Sequence, residues 1–162
     1  EVRVQELDKA RIRLRFIGDR SAFSAELQAG MLKAEALTAN HARMTLVIAV
    51  NYGGQWDVAQ AARRLAEQVS AGTLSPDAIT AGMLGEYVEL ADEPPVDLLI
   101  RTGGELRVSN FVLWQAAYAE YYFSDALWPD FGHAHLQVAL DEFAQRQRRF
   151  GRTSEQIEAL HA

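Results

Sequence analysis

The chain has 162 residues, 49% apolar and 23% charged, a balance that excludes intrinsic disorder and fits one folded domain. Its net charge of −6 excludes wholesale binding to nucleic acid or an anionic membrane, so any anion site must be built from local residues. Without cysteine there is no disulfide framework and no thiolate chemistry, and aliphatic runs such as Leu46 to Val50 fall far short of the roughly 20 residues of a membrane span.

Glu1 to Leu7 shows neither a signal-peptide pattern nor an initiating Met, and Val2, Val4 and Leu7 sit among charges like the tail of a helix. The chain is therefore expected to begin inside a longer protein, with the cytoplasm as its compartment and at most a loose association with a membrane. Arg11 to Ile17 alternates charged and apolar side chains, which predicts a strand ending at Gly18-Asp19. Phe23, Leu27, Met31, Leu32 and Leu37 recur at helical spacing and predict a helix over 21–38, with Ser21 or Ser24 as its cap. Met44 to Val50 is nearly all apolar and ends in Asn51-Tyr52-Gly53-Gly54, as expected of a parallel strand buried on both faces. Helices are expected over 56–70 and, after Ser75-Pro76-Asp77, to about Leu90.

Glu93-Pro94-Pro95 breaks the chain before a short strand, Val96 to Ile100, that runs straight into Arg101-Thr102-Gly103-Gly104-Glu105. Ser109 to Ala117 reads as helical, Tyr121 to Phe123 as a strand, and His135 to Phe150 as an amphipathic helix with Leu136, Leu140 and Phe143 on one face. Strands alternating with helices predict a single α/β domain whose mainly parallel central sheet is flanked by helices, with ligands beyond the carboxyl ends of the strands. The domain is expected over 1–151, followed by a polar tail over 152–162.

Three places could carry chemistry. Arg101, the glycine pair, Arg107 and Ser109 combine guanidinium forks, close backbone approach and a hydroxyl, which suits a diphosphate; the alternative is a glycine turn with solvated arginines. Glu120, alone among Ala117, Tyr118, Ala119, Tyr121, Tyr122 and Phe123, is either a ligand for a hard cation such as Mg²⁺ or a carboxylate at a strand edge paired with an arginine. Arg146, Arg148, Arg149 and Arg152 crowd the end of the last helix, where they complement its dipole or clamp an anion of this or a neighbouring subunit. His133 and His135 lack a third ligand and read as surface residues. The Asn51 to Asp57 turn could line a cleft or simply join strand to helix. No dinucleotide, P-loop, nucleophile-elbow or zincin signature occurs.

Taken together, Asn51-Tyr-Gly-Gly-Gln-Trp-Asp57, Asp97-Leu-Leu-Ile-Arg-Thr-Gly-Gly-Glu105, Arg107-Val-Ser-Asn-Phe111, Trp114 to Glu120 and Leu127-Trp-Pro-Asp-Phe131 resemble the undecaprenyl diphosphate synthases of the cis-prenyltransferase family, in order and spacing from about Arg11 to Gly151. The resemblance implies repeated Mg²⁺-dependent condensation of isopentenyl diphosphate onto farnesyl diphosphate by a cytoplasmic homodimer. Its product would be undecaprenyl diphosphate, precursor of the lipid carrier for cell-wall peptidoglycan. By motif position Arg101, Arg107 and Ser109 would hold isopentenyl diphosphate and Glu120 would help bind Mg²⁺. Arg149 and Gly151 would form the terminal Arg-x-Gly element that reaches a partner's diphosphate, and Met44, Leu46 and Ile48 would line the product tunnel, Met44 near its floor. No nucleic acid is implied, and contact with a membrane comes only through the lipid product.

Two departures stand out. The family's Asp-Gly-Asn-Gly-Arg-Trp segment, whose Asp is essential, does not occur in this chain, which leaves its catalytic residue unassigned and predicts that these 162 residues alone are inactive. Leu106 stands where the family often has His. The alternative of another class is a non-catalytic diphosphate-binding subunit that needs a partner chain; an unrelated phosphosugar-binding α/β protein is a third.

Overall fold

The computed structural model describes residues 2–146; Arg149, Gly151 and the polar tail lie outside them. The described chain is α/β, with parallel strands and flanking helices as expected, but the strands form two parallel pairs within two compact units. The first unit holds the residues up to Glu93 together with Asn110–Trp114, and the second holds Pro94–Ser109 and the residues from Gln115 on.

In the first unit, α1 (Val2–Lys9) leads into β1 (Ile12–Ile17), α2 (Ala25–Thr38), β2 (Met44–Ala49), α3 (Gly54–Ser70) and the short α4 (Ala81–Gly85). Ser24 is the cap of α2, its hydroxyl accepting from Leu27 N–H at 3.3 Å. β1 and β2 pair in register from Ile12 opposite Met44 to Ile17 opposite Ala49. An unpaired strand edge is a template for misassociation. Side chains cover the outer edge of β1: Thr38 Oγ1 accepts from Leu14 N–H at 2.9 Å, Glu35 Oε1 accepts from Phe16 N–H at 2.7 Å, and Arg20 donates to the Phe16 carbonyl. Arg20 also holds both oxygens of Glu35 at 2.7 Å. Burial alone would raise the Glu35 carboxyl, but Arg20 and the Phe16 amide outweigh it and hold it below the ordinary range.

Two expectations for this unit need correction. β2 is not buried on both faces: Met44 is 50% and Ile48 40% exposed, because none of the described elements covers that strand as α2 covers β1. No continuous helix runs from 75 to 90. A 3-10 turn at Pro76–Ala78 and the five-residue α4 replace it, α4 being capped by Thr80 Oγ1 accepting from Met83 N–H at 3.2 Å.

Asp57, in the first turn of α3, is 2% exposed and ties the unit together. Its Oδ2 accepts from the Tyr52 hydroxyl and its Oδ1 from Glu89 N–H, both at 2.8 Å. Burial first, then the Asp57 charge, push the Glu89 carboxyl above the ordinary carboxylate range, against the Gly18 amide, Arg64 and Arg20. The folded state thus holds the Glu89 proton more tightly than the unfolded chain, and its ionisation costs stability as pH rises through that raised value. Glu89→Gln is expected to raise Tm at about pH 7, with the gain shrinking toward about pH 4 where the unfolded carboxyl also holds its proton. Thermal unfolding across that range checks it.

In the second unit, β3 (Leu98–Arg101) pairs in parallel with β4 (Glu120–Phe123), and α5 (His133–Gln145) packs against β4. The chain between β3 and β4 contains no helix, contrary to the expectation over 109–117. Ser109, Asn110 and Val112 have φ of 52°, 60° and 39°, and three left-handed residues in four cannot propagate a right-handed helix.

Candidate functional site

Arg101 ends β3, so its side chain stands at the carboxyl end of the pair, where ligands of parallel sheets gather. The glycine pair that follows has φ of 85° and 72°, open to glycine without strain. Their amides do not face a ligand, as the diphosphate reading of the turn supposed. Gly103 N–H donates to the Ala126 carbonyl at 2.8 Å and Gly104 N–H to that of Ser124 at 3.0 Å, while Ser124 N–H donates to Arg101 O at 2.8 Å. The glycines therefore lock the turn that carries Arg101, and an anion at this turn would meet side chains rather than these amides.

Those side chains are Arg101, Arg107 and Ser109. Arg107 Nε donates to Ser109 Oγ at 3.2 Å, and its guanidinium also pairs with Glu105. Arg107 remains 65% exposed at its side chain, leaving donors of the five-donor fork for an incoming anion. Leu106 points its apolar side chain into solvent beside them and offers no ligand.

Glu120 lies elsewhere on the same sheet. It opposes Leu98, whereas Arg101 opposes Phe123, an offset of three residues or about 10 Å along the ladder, with the side chains on opposite faces. Its Oε2 accepts from Arg146 Nη1 at 3.1 Å, and Arg146 also donates to the Tyr121 carbonyl at 2.8 Å. The arginine-paired alternative is thus the arrangement present. Among the described residues no three His, Cys, Asp or Glu gather as a metal site. Glu120 offers a Mg²⁺ ion a single carboxylate, one that is already paired with Arg146 and does not share a face with Arg101. His135, read as a surface residue, accepts from Gly132 N–H through Nδ1 at 3.3 Å and stacks on Phe131.

Met44, Leu46 and Ile48, expected to line a product tunnel, share one face of β2, and register puts Ile12, Leu14 and Phe16 beside them on β1. An apolar cleft of about 400 Å³ lies between β1 and the helices, lined by Phe16 with Leu27, Met31, Ala34 and Leu37 of α2 and Val4 of α1; Met44, Leu46 and Ile48 do not line it. Arg149 and Gly151 lie outside the described residues.

Sequence reading missed one residue of this region. Asn110 closes the amino end of α3: its carbonyl accepts from Gly54 N–H at 2.7 Å and its Oδ1 from Gln55 N–H at 2.8 Å. The only signal was an Asn, tolerant of left-handed backbone, beside Ser109; a partner 55 residues away in sequence leaves no local pattern.

A family model for undecaprenyl diphosphate synthase, of the prenyltransferases, matches residues 1–151. The chain is 61% identical over 155 residues to the ditrans,polycis-undecaprenyl-diphosphate synthase, (2E,6E)-farnesyl-diphosphate specific, of Pseudomonas putida, covering 96% of this chain and 62% of that one. Among solved structures it is similar to lavandulyl diphosphate synthase from Lavandula x intermedia in complex with dimethylallyl diphosphate. The TM-score is 0.87 at 40% identity over 91% of this chain and 64% of that one. A probable undecaprenyl diphosphate synthase from Campylobacter jejuni gives a TM-score of 0.80 at 31% identity, over 92% and 67% respectively. The chain thus spans about three fifths of the length of the curated relatives it matches. Among the described residues no helix is long and apolar enough to cross a membrane.

Proposed function

Because the chain belongs to the undecaprenyl diphosphate synthase family of prenyltransferases, we propose that the full-length protein condenses isopentenyl diphosphate repeatedly onto farnesyl diphosphate, forming undecaprenyl diphosphate. The observation that carries the reading is Arg101 at the carboxyl end of β3, in an internally bonded turn, followed within eight residues by an exposed Arg107 guanidinium bonded to the Ser109 hydroxyl. In each cycle the allylic carbon–oxygen bond breaks and diphosphate leaves with the electron pair. The terminal alkene carbon of isopentenyl diphosphate bonds to the allylic carbon, and a proton is lost to form the new double bond. Arg101, Arg107 and Ser109 grip the diphosphate that stays on the nucleophile, so their task is to aim its alkene.

The apolar face of Met44, Leu46 and Ile48 would receive the lengthening chain and shield the cationic allylic carbon from water. Mg²⁺ dependence is part of the proposal: Glu120 would be this chain's carboxylate for the ion, and the ion would supply charge neutralisation. Arg149 and Gly151 are proposed as the element that reaches a partner's site. A homodimer is part of the proposal, with the exposed Leu136 and Leu140, one turn apart on the same side of α5, as the surface it would use. The enzyme is placed in the cytoplasm.

The test is incorporation of radiolabelled isopentenyl diphosphate by the full-length protein with farnesyl diphosphate and Mg²⁺. Long-chain product that disappears with a chelator is expected, and residues 1–162 alone are expected to give none. Product that forms only when a second protein is added would instead establish the non-catalytic subunit.

A further inference from the structure

We propose that Asn110 is a positioning residue for the diphosphate site, holding the strained backbone that aims the Ser109 hydroxyl and, through it, the Arg107 guanidinium. The proposal rests on the reading that Ser109 and Arg107 hold isopentenyl diphosphate.

The first amides of a helix have no intrahelical acceptor, and the capping position of α3 is Gly53, which has no side chain to offer one. Asn110 supplies acceptors to two of these amides, its carbonyl to Gly54 and its Oδ1 to Gln55. The fit is mutual, because a Cβ on Gly53 would come within 2.8 Å of Asn110 Nδ2. The neighbouring residues add to the anchor. Phe111 meets Tyr52 edge-on at 5.8 Å, and Leu113 lies so close over Gly54 that a Cβ there would come within 2.6 Å of it.

This anchoring accounts for an otherwise costly backbone. Left-handed geometry is costly for most non-glycine residues, and here Ser109 and the β-branched Val112, 4% exposed, adopt it on either side of Asn110, which does so as well. Such strain persists only where the surroundings over-determine it. Asn110 follows Ser109 directly and has both its carbonyl and its amide oxygen committed to α3, so it fixes the peptide from which the Ser109 side chain departs. The Ser109 Oγ in turn accepts from Arg107 Nε, which carries the alignment to the guanidinium.

The experiment is a double-mutant cycle in the full-length enzyme with steady-state kinetics for both substrates. Asn110→Ala is expected to raise KM for isopentenyl diphosphate about tenfold while changing kcat/KM for farnesyl diphosphate less than about twofold, and to add little when Ser109→Ala is already present. Asn110→Gly, which keeps the left-handed backbone and the carbonyl bond but loses Oδ1, is expected to fall between wild type and Asn110→Ala, and it stands in should the alanine variant not fold. A purely structural cap would lower Tm and the active fraction for both substrates alike with KM unmoved, which overturns the proposal. Additive effects of the two substitutions overturn it as well. If Ser109→Ala alone leaves KM for isopentenyl diphosphate unchanged, the assignment of Ser109 falls first and the proposal with it.

Discussion

Replacing Arg101 by alanine in the full-length protein is expected to lower kcat/KM for isopentenyl diphosphate about a hundredfold while moving that for farnesyl diphosphate less than about threefold. A charge-assisted bond to a phosphate oxygen contributes roughly 1.5–3 kcal/mol, and the upper end of that range is a factor of about a hundred. The upper end applies because Arg101 stands at the end of β3, in a turn braced by Gly103, Gly104 and Ser124, so the backbone that carries its guanidinium is fixed. Arg101→Lys should recover only part of the loss, since a point charge cannot reproduce a planar fork. Steady-state kinetics with each substrate varied in turn reads the result. An equal loss for both substrates would assign Arg101 to the shared architecture instead of to the isopentenyl site.

What could be read along the chain was whatever depends on near neighbours. Alternation over 11–17 and an apolar run over 44–50 mark β1 and β2, and the periodic stretch over 21–38 marks α2 with Ser21 and Ser24 both open as its cap, of which the helix uses Ser24. The cationic group at 101–109 was equally readable, because a strand end, a glycine pair and two arginines lie within nine residues. What failed depended on distant partners. Residues 109–117 have helical composition, yet the bonds from Gly54 and Gln55 hold Asn110 left-handed. The glycine amides looked available for an anion until the acceptors at Ser124 and Ala126, some twenty residues on, were in view. By its neighbours alone Glu120 suits a cation ligand or an arginine partner, and only the fold brings Arg146 to it. Local pattern thus reports element type and residue chemistry, while satisfaction of polar groups is a tertiary property.

Asp57→Ala is expected to cost the full-length protein about 3 kcal/mol of stability, the largest loss anticipated for a single change in the first unit. The carboxylate sits in the first turn of α3, where negative charge complements the helix dipole, and accepts from the Tyr52 hydroxyl and the Glu89 amide. Alanine removes an acceptor from each of these donors in a place where little water enters, and each deprived donor costs about 1–3 kcal/mol. One effect opposes the loss. The Asp57 charge helps hold the Glu89 carboxyl above the ordinary range, so its removal eases ionisation of Glu89 and returns part of that cost near neutral pH. The two changes should therefore be non-additive: the stabilisation brought by Glu89→Gln at about pH 7 is expected to shrink when Asp57 is already alanine. Urea unfolding measures both, with a midpoint shift of about 1.5 M expected for Asp57→Ala at an m-value of about 2 kcal/mol/M. A shift below about 0.5 M would mean that solvent replaces the carboxylate, and that the Tyr52 and Glu89 donors are held by packing of the Tyr52, Trp56 and Phe111 rings rather than by charge.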